Sequence, residues 1–321
     1  MAYIHTLDAA CRVLLIMNPV SGMYQSKSLM YDVVSVFTKA GCVTTTLMTT
    51  APGDASSYVV EHAEKHDIVV CLGGDGTLNE TISGMMRLER ERRIPIGFLP
   101  AGTTNDVARA LHVPIGNAKK AAKQILSADN IHHDVGLFQG DQNRSQYFTY
   151  IASFGAFTKV SYQTPRWKKH LFGRMAYLMD GVQALGDIRP WNIRISCGQR
   201  DFSEDGPYAF GCVSNSTSIA GLVKLDQSRV SFNDGKFEVM LIRHPKTAME
   251  LELIIRSLVN QSFNVPMEGK PPMVRLFRTS CITFRPEDEM PWTVDGEYGG
   301  APREVVIKNC HGAVEILRRI S

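Results

Sequence analysis

Hydrophobic and polar positions in roughly the first 110 residues follow two alternating patterns. Short apolar runs of strand length are separated by segments in which apolar residues recur with the period of a helix. This alternation predicts parallel strands joined by helical crossovers, an α/β layer. The predicted strands are Arg12–Met17, Val43–Thr49, Ile68–Leu72 and Ile96–Leu99, and the predicted helices begin at Ser26, Asp54, Leu78 and Thr104.

The pattern changes beyond about residue 131, where short β-rich stretches alternate with turn signals. Asn233-Asp234-Gly235 and Asp295-Gly296-Glu297 are two such signals, and helices are predicted at 173–185 and 247–259. Together they predict an antiparallel sandwich. We therefore expect a first domain at residues 1–135 and a second at 136–304, with 305–321 as a candidate to return to the first.

Length and composition agree with two globular domains. The 321 residues exceed one average domain, and 44% hydrophobic with 21% charged residues allow a real core. A formal net charge of +3 is too weak to indicate a nucleic-acid partner. The seven cysteines form no C-x-x-C pair, which favours a reducing cytoplasm over a disulfide framework or a zinc site. We also expect neither a membrane-spanning helix nor an export signal.

The segments that follow the predicted strands carry the candidate chemistry, because ligands of open parallel sheets lie beyond the carboxyl ends of the strands. They read NPVSG, TTAPGDA, GGDGTLNE and PAGTTND. The first, Asn18 to Gly22, offers small residues and backbone N–H groups at a helix start, which attracts phosphate. For this motif taken alone, an ordinary strand-to-helix turn is the favoured interpretation.

The turn from Gly73 to Glu80 is more specific. Its glycines let the backbone approach a phosphate, Thr77 is expected to cap the helix that follows, and Asp75 supplies a carboxylate. A carboxylate beside phosphates repels them unless a cation intervenes, which indicates Mg²⁺. The Walker A pattern is absent, and Asn79 stands where the dinucleotide-binding pattern needs its last glycine.

The PAGTTND turn presents Asn105 and Asp106 at the same predicted edge, although a capped helix start is the simpler reading of this turn alone. These motifs, together with Val294 to Gly300, resemble the diacylglycerol kinase catalytic family, which includes sphingosine kinases and bacterial lipid kinases. They occur in the family's order and spacing over essentially the whole chain. The segments 161–165 and 234–237 resemble its bacterial members.

The resemblance implies a Rossmann-like α/β domain that binds ATP, an antiparallel β-sandwich domain that binds lipid, and a crevice between them. The positions that match the family's nucleotide contacts are Asn18, Pro19, Val20, Ser21, Gly22, Thr49, Gly73, Gly74, Asp75, Gly76, Thr77, Leu78, Asn79, Thr103 and Asn105.

The resemblance also implies catalytic carboxylates: Glu297 as the base for the lipid hydroxyl, Asp295 beside it, and Asp75 and Asp106 on the nucleotide side. Without the resemblance, Asp-Gly-Glu reads as a hairpin turn.

A second, structural Mg²⁺ is implied at Asp234, with carbonyl groups of Ser231 and Lys236, although Asn-Asp-Gly is explained by a turn without any ion. Tyr150 departs from the family, which commonly has asparagine there.

A lipid acceptor implies contact with a membrane surface. Residues 166–174 interleave four cationic with three aromatic or apolar side chains, which suits reversible docking at an anionic leaflet. A solvated basic face is the alternative. Similar bacterial enzymes suggest a homodimer.

The leading hypothesis is a cytoplasmic, peripherally membrane-associating kinase that uses ATP and Mg²⁺ to phosphorylate diacylglycerol. Phosphatidylglycerol and sphingoid bases stay open as acceptors. An NAD kinase, which shares the GGDG turn, and a catalytically silent binding protein are the alternatives.

Overall fold

The computed structural model describes residues 10–22, 25–102, 105–111, 113–141, 145–155, 189–198, 202–216, 218–219, 223–224, 231–266 and 269–319. The chain forms two compact units. Unit 1 contains Met1–Val135, Phe232–Asp234 and Cys310–Ser321, and unit 2 contains Gly136–Ser231 and Gly235–Asn309. Residues 161–165 and 166–174 and the predicted helix at 173–185 lie outside the described residues.

Unit 1 is built on a parallel sheet with the strand order β2-β1-β3-β4. Its strands are β1 (Arg12–Met17), β2 (Val43–Met48), β3 (Ile68–Gly73) and β4 (Ile96–Pro100). Every residue of β3 and β4 is buried, as expected of parallel strands covered on both faces, whereas β2 at the sheet edge is partly exposed. The apolar runs therefore predicted these strands correctly.

Helices follow the strands of unit 1 in the predicted alternation. They are α1 (Gln25–Lys39), α2 (Asp54–His62), α3 (Asp75–Met86) and α4 (Asp106–Ala110), and a further helix that was not predicted, α5 (Ala118–Leu126), follows. Two predictions about α3 are wrong: the helix begins at Asp75 rather than Leu78, and Thr77 lies in its first turn instead of capping it. The cap position is held by Gly74, whose extended backbone (φ −93°, ψ −175°) ends the strand without a side-chain hydrogen bond.

Unit 2 is antiparallel. Its paired strands are β5 (Asp129–Gly140), which begins in unit 1, β6 (Ser145–Phe148), β7 (Ile151–Gly155), β8 (Trp191–Cys197), β9 (Phe202–Ser214), β10 (Ser218–Ile219), β11 (Val223–Lys224), β12 (Phe237–Arg243), β13 (Val274–Thr279), β14 (Cys281–Pro286), β15 (Trp292–Val294), β16 (Glu297–Gly300) and β17 (Val305–Arg318). In the sheet, neighbouring strands follow the order β16-β15-β7-β9-β8-β14-β17. Strand β12 pairs with both β9 and β13.

Aromatic side chains fill the core of unit 2. Trp292 is fully buried and contacts Phe138, Phe154 and Phe284 edge-on, with ring centroids 5.0–5.4 Å apart. Such packing stabilises the core, because it buries apolar area and because edge-on contacts are favourable for aromatic rings. The core therefore fixes β15, which carries the Asp-Gly-Glu turn at its end.

The helix α6 (Ala248–Val259) confirms the prediction for residues 247–259. Thr247 caps it: its hydroxyl accepts a hydrogen bond from the N–H of Glu250 at 3.2 Å, and the Glu250 carboxylate accepts one from the N–H of Lys246 at 2.7 Å. The N–H of Lys246, helped by the ammonium group of Lys270, holds the pKa of Glu250 below its usual value. Of the helices that the structure describes, none combines the length and the hydropathy needed to cross a membrane.

The mixed α/β class is confirmed by this architecture. The last strand, β17, is shared by the two units: residues up to Asn309 belong to unit 2, and those from Cys310 onward belong to unit 1. In unit 1, the buried Asp134 accepts hydrogen bonds from the N–H of Gly312 at 2.7 Å and from His311 Nδ1 at 3.0 Å. This carboxylate therefore ties the returning segment to β5.

Candidate active site

Asn18 joins the turn after β1 to the first turn of α3. Its backbone N–H donates to the carbonyl of Leu72 at 3.0 Å, and its side-chain Nδ2 donates to Thr77 Oγ1 at 3.2 Å. Its side-chain oxygen accepts from the N–H of Val20 at 3.0 Å, while Gly22 adopts a positive φ of 57°. The NPVSG turn is thus held by one side chain that uses both its donor and its acceptor.

Two glycines of this region are required by packing. A Cβ on Gly73 would lie 2.6 Å from Thr77 Oγ1, and one on Gly102 would lie 2.7 Å from the Cα of Gly74. The backbones after β3 and β4 therefore pass each other in direct contact, and the N–H of Ala101 donates to the carbonyl of Gly73 at 2.7 Å. The turns after β3 and β4 therefore meet at one edge of the sheet, as predicted.

Gly76 differs from its neighbours. It is exposed, and a Cβ built on it meets no atom of the described chain within 4 Å. Packing within unit 1 therefore gives no reason for glycine at this position. Glycine would be needed here if a group from outside the chain had to approach the backbone closely.

Asp75 is the first residue of α3 and is half-buried. Its Oδ1 accepts a hydrogen bond from the N–H of Val107, at the start of α4, at 3.3 Å. A carboxylate is favourable at this end of a helix because the helix dipole is positive there. Asp75 thus links the turns after β3 and β4.

Asn105 closes the PAGTTND turn. It is buried, takes the left-handed conformation (φ 49°, ψ 45°), and bonds Gly102 twice: Oδ1 accepts from its N–H at 3.0 Å, and Nδ2 donates to its carbonyl at 2.7 Å. Asp106 follows as the first residue of α4. Thr103 and the side chain of Asp106 lie outside the described atoms.

The turn after β2 is organised by Asp54, which was predicted as a helix start but not as a site residue. The Asp54 carboxylate accepts hydrogen bonds from Thr50 N, Thr50 Oγ1 and Ala51 N at 2.7–2.9 Å. The backbone N–H of Thr50, followed by that of Ala51, lowers the pKa of Asp54. Thr49 is buried, and its N–H donates to the carbonyl of Met17 at 2.9 Å. An aspartate at a helix start was the available signal.

The donor set suits a hard cation only in part. The structure contains no group of three or more His, Cys, Asp or Glu side chains among its described residues that could hold a metal. Mg²⁺ is commonly bound through one or two carboxylates together with substrate phosphates and water. Asp75, beside exposed backbone at Gly76, fits that mode.

In unit 2, Asp295 and Gly296 form the two-residue turn between β15 and β16. Both have positive φ (47° and 90°), and Val294 pairs directly with Glu297. The hairpin reading of Asp-Gly-Glu is therefore confirmed, and the turn is of the primed type that matches the twist of the strands.

The Asp295 carboxylate is fully engaged by the turn before β7. Oδ2 accepts from Thr149 N at 2.8 Å and Thr149 Oγ1 at 3.0 Å, and Oδ1 accepts from the N–H groups of Tyr150 and Ile151 at 3.0 and 2.9 Å. The carbonyl of Tyr150 in turn accepts from Ser214 Oγ and Asn215 N. Asp295 therefore holds residue 150 through its backbone N–H, and this contact does not depend on the side chain at that position.

Glu297, two residues later, has the opposite surroundings. Its side chain is exposed and makes no hydrogen bond with the residues that the structure describes. Ser231, Asp234 and Lys236 lie in the irregular segment before β12, where Gly235 has a φ of 75° and Asp234 is exposed.

These features were compared with known proteins. The model of the diacylglycerol kinase catalytic domain matches residues 12–138, which include every turn described in unit 1. A relative from Bacillus subtilis (strain 168) named diacylglycerol kinase is 31% identical over 290 residues, 90% of this chain and 90% of its own. This chain belongs to the diacylglycerol kinase family. The predicted family resemblance is therefore confirmed, and with it the prediction of a lipid kinase enzyme.

Further family members agree over similar lengths. A diacylglycerol kinase from Staphylococcus aureus (strain MRSA252) is 32% identical over 291 residues, covering 90% of this chain and 87% of its own. A crystal structure described as that of a diacylglycerol kinase from Bacillus anthracis str. Sterne has a TM-score of 0.70 at 21% identity and covers 96% of this chain and 97% of its own. A second crystal structure from the same organism has a TM-score of 0.75 at 23% identity. The fold is thus that of the family.

Proposed function

We propose that this lipid kinase transfers the γ-phosphate of ATP to the hydroxyl of a membrane glycerolipid, with diacylglycerol as the acceptor and phosphatidic acid as the product. The relatives named diacylglycerol kinase support this acceptor. We further propose that unit 1, with residues 1–135 and the segment that returns at Cys310, is a Rossmann-like nucleotide-binding domain. Residues 136–304 then form a β-sandwich domain for the lipid.

One observation carries the proposal: the turns after β1, β3 and β4 are bonded to one another at one edge of the parallel sheet, around the exposed backbone of Gly76. Phosphoryl transfer is catalysed mainly by positioning and by neutralising charge. Backbone N–H groups in such turns can bind the phosphates of ATP without a Cβ in the way. The nucleotide positions from Asn18 to Gly22, Thr49, Gly73 to Asn79, Thr103 and Asn105 belong to this proposal.

The acceptor hydroxyl needs a base, and we assign that role to Glu297. An exposed carboxylate without a hydrogen-bond partner in the described chain is available to take a proton. Asp295 cannot serve in the same way, since four donors already occupy its two oxygens. We therefore assign Asp295 a positioning role, with Asp106 as a polar group on the nucleotide side.

For Mg²⁺, we propose Asp75 as the protein ligand beside the phosphates, and Asp234 with carbonyl groups of Ser231 and Lys236 as a structural site. Bound Mg²⁺ would neutralise charge on the transferring phosphate. Asp75 itself links the turns after β3 and β4 through its hydrogen bond from the N–H of Val107. We also propose that the protein contacts a lipid surface peripherally and that it forms a homodimer.

An acceptor panel tests the substrate. Purified protein with ATP and Mg²⁺ would be assayed against diacylglycerol, phosphatidylglycerol, monoacylglycerol and a sphingoid base in mixed micelles, with NAD in a parallel assay. We expect the highest kcat/KM for diacylglycerol. A higher value for another lipid would change the assigned acceptor, and formation of NADP without a lipid product would overturn the lipid assignment.

A further inference from the structure

The surface of helix α5 carries charge of one sign. Its sequence, AKKAAKQIL, contains three lysines and no acidic residue. The three alanines and Ile125 are buried, whereas Lys119, Lys120 and Lys123 are exposed on the other face of the helix. Charges of alternating sign are typical of a helix face that only meets water. The exposed face of α5 departs from that pattern.

The fold gives no electrostatic reason for one of these charges. Lys119 and Lys120 lie in the first turn of α5, where the positive end of the helix dipole disfavours a cation. Lys119 is compensated by Asp32, the one acidic residue of α1, whose Oδ1 lies 2.9 Å from the lysine Nζ. The side chains of Lys120 and Lys123 form no ion pair with the residues that the structure describes. Lys120 therefore adds positive charge without a counter-charge.

Two contacts show which way α5 runs. Ile125, near the end of the helix, packs over the start of β4, because a Cβ on Gly97 would lie 2.7 Å from its Cδ1. Lys119, in the first turn, pairs with Asp32 in the second turn of α1, which follows the turn after β1. Helix α5 is therefore antiparallel to β4. Its first turn lies towards the edge of the sheet that carries the turns proposed to bind ATP.

Exposed apolar side chains gather near the same edge. In the part of unit 1 that the structure describes, five large apolar side chains are exposed. Tyr31, in the first half of α1, is 79% exposed, and Ile115, just before α5, is 43% exposed. Val20 lies in the turn after β1 and Met48 ends β2, so only Val43 lies at the opposite edge. Exposed apolar side chains that lie together mark interaction surfaces.

We propose that the α1–α5 surface, formed by Tyr31, Ile115, Lys119, Lys120 and Lys123, docks on an anionic lipid leaflet. This inference rests on the proposed function, because a kinase for a membrane lipid must reach the leaflet that holds its acceptor. The lysines complement anionic headgroups, and an aromatic ring beside them suits the boundary between headgroups and acyl chains. Few side chains take part, so the docking is weak and reversible.

Two surface variants and one control separate docking from folding. Lys120→Gln/Lys123→Gln removes two charges that have no ion pair, and Tyr31→Gln removes the exposed ring. All three side chains are exposed, so the variants are expected to be as stable as wild type. Lys39→Gln/Lys65→Gln is the matched control, since it removes two exposed lysines of unit 1 at the other end of α1 and just before β3. Thermal unfolding verifies that each variant is folded.

Co-sedimentation without ATP measures docking on two kinds of vesicle, phosphatidylcholine alone and phosphatidylcholine mixed with phosphatidylglycerol. We expect wild type and the control to bind the mixed vesicles about tenfold or more tightly than phosphatidylcholine. Binding of Lys120→Gln/Lys123→Gln to the mixed vesicles should weaken about tenfold or more, and that of Tyr31→Gln should weaken less. No preference of wild type for anionic vesicles, as expected of a merely solvated basic face, would overturn the proposal. An equal loss in the surface and control double variants would do so as well.

A water-soluble, short-chain diacylglycerol separates docking from chemistry. We expect both surface variants to phosphorylate it with wild-type kcat and KM, and to lose activity on long-chain diacylglycerol in mixed vesicles. An equal loss on the two substrates would overturn the docking role. Vesicle binding that depends on Lys120, Lys123 and Tyr31, without phosphorylation of any lipid, would support the docking surface and overturn the proposed function.

Discussion

Two carboxylates two residues apart have different physical roles at the scale of the single residue. Asp295 accepts four hydrogen bonds from residues 149–151, and Glu297 projects from the adjoining strand without such partners among the described residues. We therefore propose that the first fastens the turn and that the second is the base. Each role predicts a different result when the charge is removed.

Replacing Glu297 is expected to abolish turnover while leaving the fold intact. Loss of a general base typically lowers rate by about 10²–10⁴-fold, and an exposed side chain contributes little to stability. We expect Glu297→Gln to show this fall in kcat, with unchanged thermal unfolding and ATP affinity. Glu289→Gln, another exposed glutamate of unit 2, is the control and should keep full activity. Undiminished turnover in Glu297→Gln would reject Glu297 as the base.

Replacing Asp295 is expected to act on stability. Asparagine offers one acceptor oxygen, and its amide group would face backbone N–H groups that need acceptors. We expect Asp295→Asn to lower the free energy of unfolding by about 1–3 kcal/mol, the typical cost of unsatisfied buried donors, as measured by denaturant unfolding. A variant as stable as wild type but inactive would show that Asp295 takes part in the chemistry and does not merely hold the turn.

A buried histidine in unit 1 predicts pH-dependent stability. His133 is 3% exposed and stacks on Phe232, and burial lowers its pKa to about 4. Between roughly pH 6.5 and 4 the unfolded chain binds a proton that the folded chain does not. The stability contributed by neutral His133 is therefore present above about pH 6.5 and is lost as the pH falls towards 4.

The slope of this loss is at most about 1.4 kcal/mol per pH unit for one group. Denaturant unfolding between pH 7 and 4 should show a flatter profile for His133→Gln than for wild type. His132→Gln, at the exposed neighbouring position, should retain the wild-type profile. Parallel profiles for wild type and His133→Gln would contradict the assignment.

At the scale of the element, the segments after β3 and β4 contain glycines that the fold needs and one that it does not. Gly102 touches the Cα of Gly74, so a methyl group there would push two backbones apart. Gly76 is exposed at the second position of a helix, where alanine is intrinsically better by roughly 0.5–1 kcal/mol.

We therefore expect opposite effects on stability from two similar substitutions. Gly102→Ala should unfold at lower denaturant concentration than wild type. Gly76→Ala should be as stable as wild type or slightly more stable, and yet bind ATP at least about tenfold more weakly if phosphates approach this backbone, as measured by calorimetry. Unchanged ATP affinity in a folded Gly76→Ala protein would place the phosphates elsewhere.

The strands of unit 1 could be predicted because the burial of each strand is visible in its own sequence. β1, β3 and β4 are buried on both faces, so their sequences are continuous apolar runs. The start of α3 was predicted three residues too late, because Gly74 ends the strand by its backbone conformation and no side chain marks the cap. The role of Asp295 could not be read from its neighbours, since its partners are 144–146 residues away along the chain.

At the scale of the whole molecule, the proposed catalytic residues belong to both units. Unit 1 contains the bonded turns and Asp75, and unit 2 contains Glu297 on a hairpin that the aromatic core and Asp295 fix. Similarity to diacylglycerol kinases over 90% of the chain covers both units. Loss of either half of the chemistry is therefore expected to stop phosphoryl transfer.

Transfer of radiolabel from γ-labelled ATP to diacylglycerol in mixed micelles tests this account most directly. We predict labelled phosphatidic acid from the wild-type protein, and a loss of about 10²-fold or more in both Asp75→Asn and Glu297→Gln. The two variants should remain folded. No labelled lipid from wild type, or equal labelling by wild type and both folded variants, would contradict it.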